Sequence, residues 1–133
     1  MLVVDASVLV VALADDGRDG DAARKRLRGE RMVVPELADL EVAAVLRRHL
    51  RTGSLDERRA RLALDDLLAL PAERAPHGPL LDRAWELRGS LTVYDAVYVA
   101  LAEALDAVLL TGDRQLGRAL GPRCSVEILD PAA

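Results

Sequence analysis

The chain opens MLVVDASVLVVALADD, an apolar run broken by Asp5 that resumes at Val8 and continues to Ala14. Leu2 to Val4 predicts a short buried strand and Val8 to Ala14 a helix. The cluster from Asp15 to Asp21 reads as a turn, and Ala22 to Arg28 as a second, charged helix. Met32 to Val34 predicts a strand stopped by Pro35. Glu36 to Arg51 predicts a long helix ended by Thr52-Gly53. Ser54 stands as the cap of a helix over Leu55 to Leu70, with Glu57 three residues on, and Pro71 ends it. Ala72 to Ala75 reads as an edge strand, Pro79 to Arg88 as a helix, and Val93 to Leu105 as an almost wholly apolar helix. Ala107 to Leu110 predicts a strand, Asp113 to Leu120 a short helix, and Val126 to Leu129 a last strand. Strands alternating with helices imply an α/β fold around a parallel sheet of four to five strands covered on both faces. No repeat, low-complexity segment or linker interrupts the pattern, so a single domain over 1–133 is expected.

Composition narrows the classes. Apolar residues make up 51% of the 133, enough for a core without disulfides or metal staples. Aromatics are 2%, namely Trp85, Tyr94 and Tyr98, which leaves little for stacking single-stranded bases. Cys124 stands alone, so an intrachain disulfide and a zinc cluster are both excluded. The first residues lack a basic leader pattern and no run matches a membrane span, which makes the cytoplasm the expected compartment. The net charge is −4, which alone argues against a nucleic-acid partner. The distribution matters more: Lys25 is the one lysine among 18 basic residues, and arginines cluster between Arg47 and Arg61. On this fact alone a solvated helical face is the favoured explanation of that cluster.

Four carboxylates sit where burial is expected. Asp5 ends the first strand, and Asp113 lies just past the strand in VLLTGD. In open parallel sheets ligands bind outside the carboxyl ends of the strands. Each residue also has a plain structural explanation, since Asp5 or Ser7 suits a cap on the following helix and Asp113 a cap on the next. Glu41 projects from a helix face otherwise made of Leu37, Ala38, Ala44 and Val45. Pairing with Arg48, or a loosely packed side, would account for it. Asp95 fits a capping box with Thr92 and meets the positive end of a helix dipole. It shares its face with Tyr98, Val99 and Ala102, on a helix expected to be buried. Taken together, four like charges in one region raise each other's pKa and cost stability. A divalent cation removes that conflict, and oxygen ligands without His or Cys suit Mg²⁺ or Mn²⁺. His49, on the arginine-bearing helix, and His77, in the loop APHGP, are expected at the surface and outside this set.

The motifs VVDASVL, PELADLEVAAVLRR, YDAVYVALAE and LLTGD, in this order and along the whole chain, resemble the PIN-domain ribonucleases, and among them the VapC-type toxins. The resemblance implies a three-layer α/β/α sandwich and a metal-dependent endoribonuclease held in check by a cognate antitoxin. Asp5, Glu41, Asp95 and Asp113 match the acidic, metal-holding site. Ser7 and Thr111 match the hydroxyl residues that orient it. One or two Mg²⁺ (or Mn²⁺) ions are implied, with in-line attack of water on RNA giving 5′-phosphate and 3′-hydroxyl ends. Arg47, Arg48 and Arg51 are candidates for holding the RNA backbone, as are Arg114 and Arg118. A homodimer is implied too, because the long central helix carries Leu40, Val42, Ala43, Leu46 and Leu50 beyond the Glu41 face. Either a neighbouring helix or a second subunit must cover them. An antitoxin segment would lie across the groove near the acids.

Rival readings lack residues they need. A dehalogenase-like phosphatase wants an acid where Ser7 stands. A receiver domain wants a late lysine, and none follows Lys25. A P-loop is absent. A PIN nuclease of RNA maturation, or a non-catalytic binding module on the same scaffold, remains as an alternative.

Overall fold

The structure is a computed structural model that describes residues 1–130. The elements follow in the order β1 (Leu2–Val4), α1 (Ala6–Ala14), α2 (Arg18–Leu27), β2 (Met32–Pro35), α3 (Leu37–Thr52), α4 (Glu57–Ala69) and β3 (Ala72–Ala75). A 3-10 turn (Gly78–Leu80) then leads into α5 (Leu81–Glu86), α6 (Val93–Leu105), β4 (Val108–Thr111), α7 (Arg114–Arg118) and β5 (Val126–Ile128). The strands form one parallel sheet in the order β3-β2-β1-β4-β5. β1 is central, with Leu2 beside Met32 on one side and beside Val108 on the other.

Alternate side chains of a strand face opposite sides of the sheet. Leu2, Val3 and Val4 are all buried, so helices cover both faces and the expected three α/β/α layers are present. α6 lies across β1, β2 and β4 with α5 beside it, while α1 packs against α2, α3 and α4. Ala96 to Ala102 on α6 are buried without exception, as an all-apolar helix should be. On α3, the neighbouring helices cover Val42 and Leu46, whereas Leu40 stays 72% exposed.

The strand order matters more than the layers. From β1 the chain builds outward to β2 and β3, then returns to the other side of β1 for β4 and β5. The carboxyl ends of β1 and β4 therefore flank the point where the order reverses, which is where open α/β sheets form a binding crevice.

Several local expectations need correction. α2 begins at Arg18, inside the stretch read as a turn. Gly20 does not break it, because it lets α2 approach the end of α1. A Cβ at Gly20 would stand 1.8 Å from the carbonyl oxygen of Asp15. α4 is capped by Asp56 rather than Ser54: the Asp56 carboxylate accepts from the Arg59 backbone N–H at 2.7 Å. Pro35 is the last residue of β2 rather than its stop, and Pro79 sits in a 3-10 turn before α5. α7 stops at Arg118, with Leu120 beyond it and 83% exposed. His77 is half-buried rather than on the surface. Its Nε2 accepts from the Leu37 N–H at 2.8 Å, where α3 has no cap of its own.

Arginine serves the fold as well as the surface. Arg74 donates to the carbonyls of Leu67, Leu70 and Ala72 and pairs with Asp39, tying the end of α4 to β3 and α3. Arg59 reaches from α4 to the Leu13 carbonyl and Asp16. Arg24 closes the turn after α1 through the Ala12 and Asp15 carbonyls.

Because the close approach at Gly20 is to backbone, Gly20→Ala should destabilise the domain by about 2–3 kcal/mol. Thermal unfolding should then fall by roughly 5–10 °C. Gly89→Ala, where an added Cβ would meet no atom within 4 Å, should leave the transition almost unmoved. Equal midpoints for the two variants would contradict the packing argument.

Candidate active site

Asp5 follows the last residue of β1, and its N–H donates to the Leu110 carbonyl of β4 at 2.9 Å. It occupies the N-cap position of α1, yet its side chain makes no capping hydrogen bond, so the capping explanation does not hold. Oδ2 instead accepts from two hydroxyls, Ser7 Oγ at 2.5 Å and Thr111 Oγ1 at 3.0 Å. Both hydroxyls are oriented from behind. The Gly112 N–H donates to Ser7 Oγ at 3.0 Å, and the Asp113 N–H donates to Thr111 Oγ1 at 3.0 Å. With their oxygens taken by backbone donors, both hydroxyl protons point at Asp5. Thr111 is fully buried.

The other acids approach from three elements. Asp113 does cap α7, accepting from the Gln115 N–H at 2.9 Å through Oδ1. Asp95 lies in the first turn of α6, where Thr92 Oγ1 caps the Asp95 N–H at 3.1 Å. It is half-buried rather than enclosed. Glu41 does not pair with Arg48; its Oε1 accepts from the hydroxyl of Tyr98 at 2.6 Å.

The four carboxylates act on one another. Burial pushes Glu41 upward, Tyr98 opposes this, and Asp5 and Asp95 push it further up. Burial likewise raises Asp95, aided by Asp5 and Asp113 and opposed by Thr92. Asp5 is common to both. Among the described residues no arginine or lysine forms an ion pair with any of the four. Two partly buried acids elsewhere show the contrast: Glu103 pairs with Arg83 and Glu127 with Arg26, and both are held below the usual range by those hydrogen bonds. A cavity of 340 Å³ opens beside Ser7, Gly112 and Asp113, with Asp19 on its rim.

Among the described residues no three carboxylates, imidazoles or thiols converge tightly enough to hold an ion with the side chains as they stand. The donor set nonetheless has one clear chemistry. Carboxylates and hydroxyls, uncompensated by protein cations and with His77 committed to capping α3, suit a hard divalent ion.

The arginine candidates lie further out. Arg47, Arg48 and Arg51 are exposed on the last turns of α3, and Arg47 borders an apolar groove between α3 and α4. Arg114 and Arg118 are exposed on α7, where Arg114 pairs with Asp130. Sequence reasoning placed Tyr98 on the face of Asp95 without giving it a role. A tyrosine on an almost wholly apolar helix needs a partner for its hydroxyl, and that was the available signal.

The sequence and the fold that carry this site are similar to those of known proteins. Residues 2–120 match the PIN domain, and the chain belongs to the PIN-domain family, on its VapC ribonuclease branch. It is 44% identical over 128 residues to ribonuclease VapC1 of Mycobacterium tuberculosis, covering 96% of each chain. The crystal structure of PAE2754 from Pyrobaculum aerophilum superposes with a TM-score of 0.69 at 28% identity, covering 96% of this chain and 83% of that one. A toxin–antitoxin complex from Klebsiella pneumoniae superposes with a TM-score of 0.66 at 18% identity over 98% of both chains, a likeness of fold.

The raised acids have a consequence for stability. A carboxyl group whose folded pKa lies above its unfolded value favours the folded state below the unfolded pKa, and loses that contribution as pH rises through the folded one. Asp95 is therefore a burden at neutral pH. In chelator at pH 7.5, Asp95→Asn should raise the unfolding midpoint by about 2–5 °C, and the gain should fade as pH falls toward 4. A midpoint that drops at pH 7.5 would show that the Asp95 charge is compensated.

Proposed function

We propose that this chain is a divalent-metal-dependent endoribonuclease and the toxin of a toxin–antitoxin pair. The observation that carries this reading is the set of four carboxylates gathered at the switch point without a protein cation, in a chain that pairs Glu30, Asp39, Glu103 and Glu127, also partly buried, with arginine. Ribonuclease VapC1, with 44% identity along nearly the whole chain, supports the reaction class.

Asp5, Glu41, Asp95 and Asp113 would hold Mg²⁺ or Mn²⁺. A bound divalent ion supplies charge neutralisation at the scissile phosphate and a usable water nucleophile at neutral pH. The chain's own residues set the stage. Ser7 and Thr111 fix Oδ2 of Asp5, which leaves Oδ1 free of hydrogen bonds among the described residues. Asp113 spends Oδ1 on the α7 cap and keeps Oδ2 for the site. Water attacks phosphorus in line and the 3′ oxygen departs, leaving 5′-phosphate and 3′-hydroxyl ends without use of the RNA 2′-hydroxyl. Arg47, Arg48 and Arg51, which make no ion pair among the described residues, offer contacts to the RNA backbone, as does Arg118 at the end of α7, the helix that Asp113 caps.

The partners follow from the same reading. The Klebsiella pneumoniae neighbour is described as a toxin–antitoxin complex, which supports an antitoxin for this chain. A homodimer is proposed through the exposed apolar side chains, among them Leu40, Leu81 and Tyr94. Among the described residues no helix is long and apolar enough to cross a membrane, and the cytoplasm is the proposed compartment.

Cleavage of total RNA with sequencing of new 5′ ends tests the reaction. Wild type with Mg²⁺ or Mn²⁺ should give discrete 5′-phosphate ends. Chelator should abolish them, and Asp5→Asn should reduce them at least about 100-fold. Products ending in 2′,3′-cyclic phosphate would overturn the chemistry. Replacing Arg47, Arg48 and Arg51 together by Ala should weaken cleavage of all RNAs alike and reduce its logarithmic salt dependence by about 2. An unchanged slope would remove that patch from the RNA path.

A further inference from the structure

We propose that Tyr98 is a positioning residue of the acidic site, whose hydroxyl fixes one oxygen of Glu41 and presents the other to the cation. The inference rests on the reading that these acids hold a divalent ion.

Tyr98 is the one aromatic side chain in the core. It is 0% exposed, whereas Trp85 and Tyr94 are 61% and 63% exposed. Leucine and valine fill the rest of the core, and either a leucine or a phenylalanine would serve α6 without a polar atom to satisfy. A buried hydroxyl is costly unless bonded. This one donates to Glu41 Oε1 at 2.6 Å, while the backbone N–H of Ala6 faces its oxygen. The backbone donor and the carboxylate together fix which way the phenol proton points.

That hydroxyl stands where three acid-bearing segments meet. Tyr98 is on α6, three residues after Asp95. Glu41 belongs to α3, and Ala6 is the residue after Asp5. Each other acid has its own anchor nearby: two hydroxyls for Asp5, the α7 cap for Asp113, and Thr92 for Asp95. Among the described residues Glu41 has Tyr98 alone. Its side chain has three rotatable bonds, and repulsion from Asp5 and Asp95 would drive it outward. The Tyr98 hydrogen bond opposes that escape and leaves Oε2 uncommitted.

Mn²⁺ binding to the full chain without RNA, read from the electron paramagnetic resonance of free Mn²⁺, separates this role from packing and from catalysis. The set is wild type, Tyr98→Phe, Glu41→Gln and the double variant. Tyr98→Phe should weaken Mn²⁺ binding about 5–20-fold, and Glu41→Gln at least as much. The double variant should bind no more weakly than Glu41→Gln alone, because Tyr98 acts through Glu41. Unchanged affinity in Tyr98→Phe overturns the proposal, as does an equal loss from Tyr98→Phe in both backgrounds. In the wild-type protein the Tyr98 hydroxyl proton should be visible by NMR and shift when Mg²⁺ is added. A proton that does not move overturns the proposal without recourse to a variant. Wild type that binds no Mn²⁺ instead overturns the metal-site reading itself, and this inference with it.

Discussion

The hydrogen-bonded carboxylate of Asp5, at the end of the central strand, is the contact around which the rest is arranged. β1 is buried on both faces, so a charge at its end needs donors close by. The strand order supplies them, because β4 lies against β1 and ends at Thr111. The first turn of α1 supplies Ser7 from the other side. Neither hydroxyl would be a dependable donor if its oxygen were free to rotate. The N–H groups of Gly112 and Asp113 remove that freedom, so the loop after β4 is part of the support for Asp5.

The distribution of charge then becomes meaningful. A chain with 22 acidic and 18 basic residues has enough cations for most of its carboxylates. Arginine from α2, α4 and α5 is spent on Glu127, Asp16 and Glu103, and on carbonyls at helix ends. None reaches Asp5, Glu41, Asp95 or Asp113 among the described residues. Exposed pairs contribute little to stability, so the partners matter here less than the omission does. For Glu41 and Asp95, burial with like charges nearby and no counter-ion is a cost that folding alone would not retain.

Much of this was legible in the sequence. α6 is apolar on all sides and runs from Val93 to Leu105, the range its pattern predicts. The sheet was legible because β1, β2 and β4 are short apolar runs between turn residues, and the four acids stood out at strand ends and on apolar helix faces. What was hidden depends on contacts distant in sequence. Gly20 looks like a helix breaker until the end of α1 is seen against it. Ser54 and Asp56 are both good caps, and backbone geometry rather than residue type selects Asp56. His77 caps α3 from a loop 40 residues away, and Tyr98 meets Glu41 across 57. The arginine cluster between Arg47 and Arg61 divides into structural members, such as Arg59, and exposed ones, which no periodicity distinguishes.

Helix ends moderate the repulsion without abolishing it. Asp5 stands at the start of α1, and Asp95 lies in the first turn of α6, both within reach of the positive end of a helix dipole. That contribution is small, and for Asp95 burial and the neighbouring acids outweigh it, since its pKa still moves up. The helices thus make the uncompensated acids tolerable, and the hydroxyls of Ser7, Thr111 and Tyr98 hydrogen-bond Asp5 and Glu41. A scaffold that neutralised these acids with arginine would be more stable and would leave no room for a cation. The deficit of positive charge at the switch point is therefore the property that α6, the β4 loop and the arginine pairs elsewhere jointly preserve.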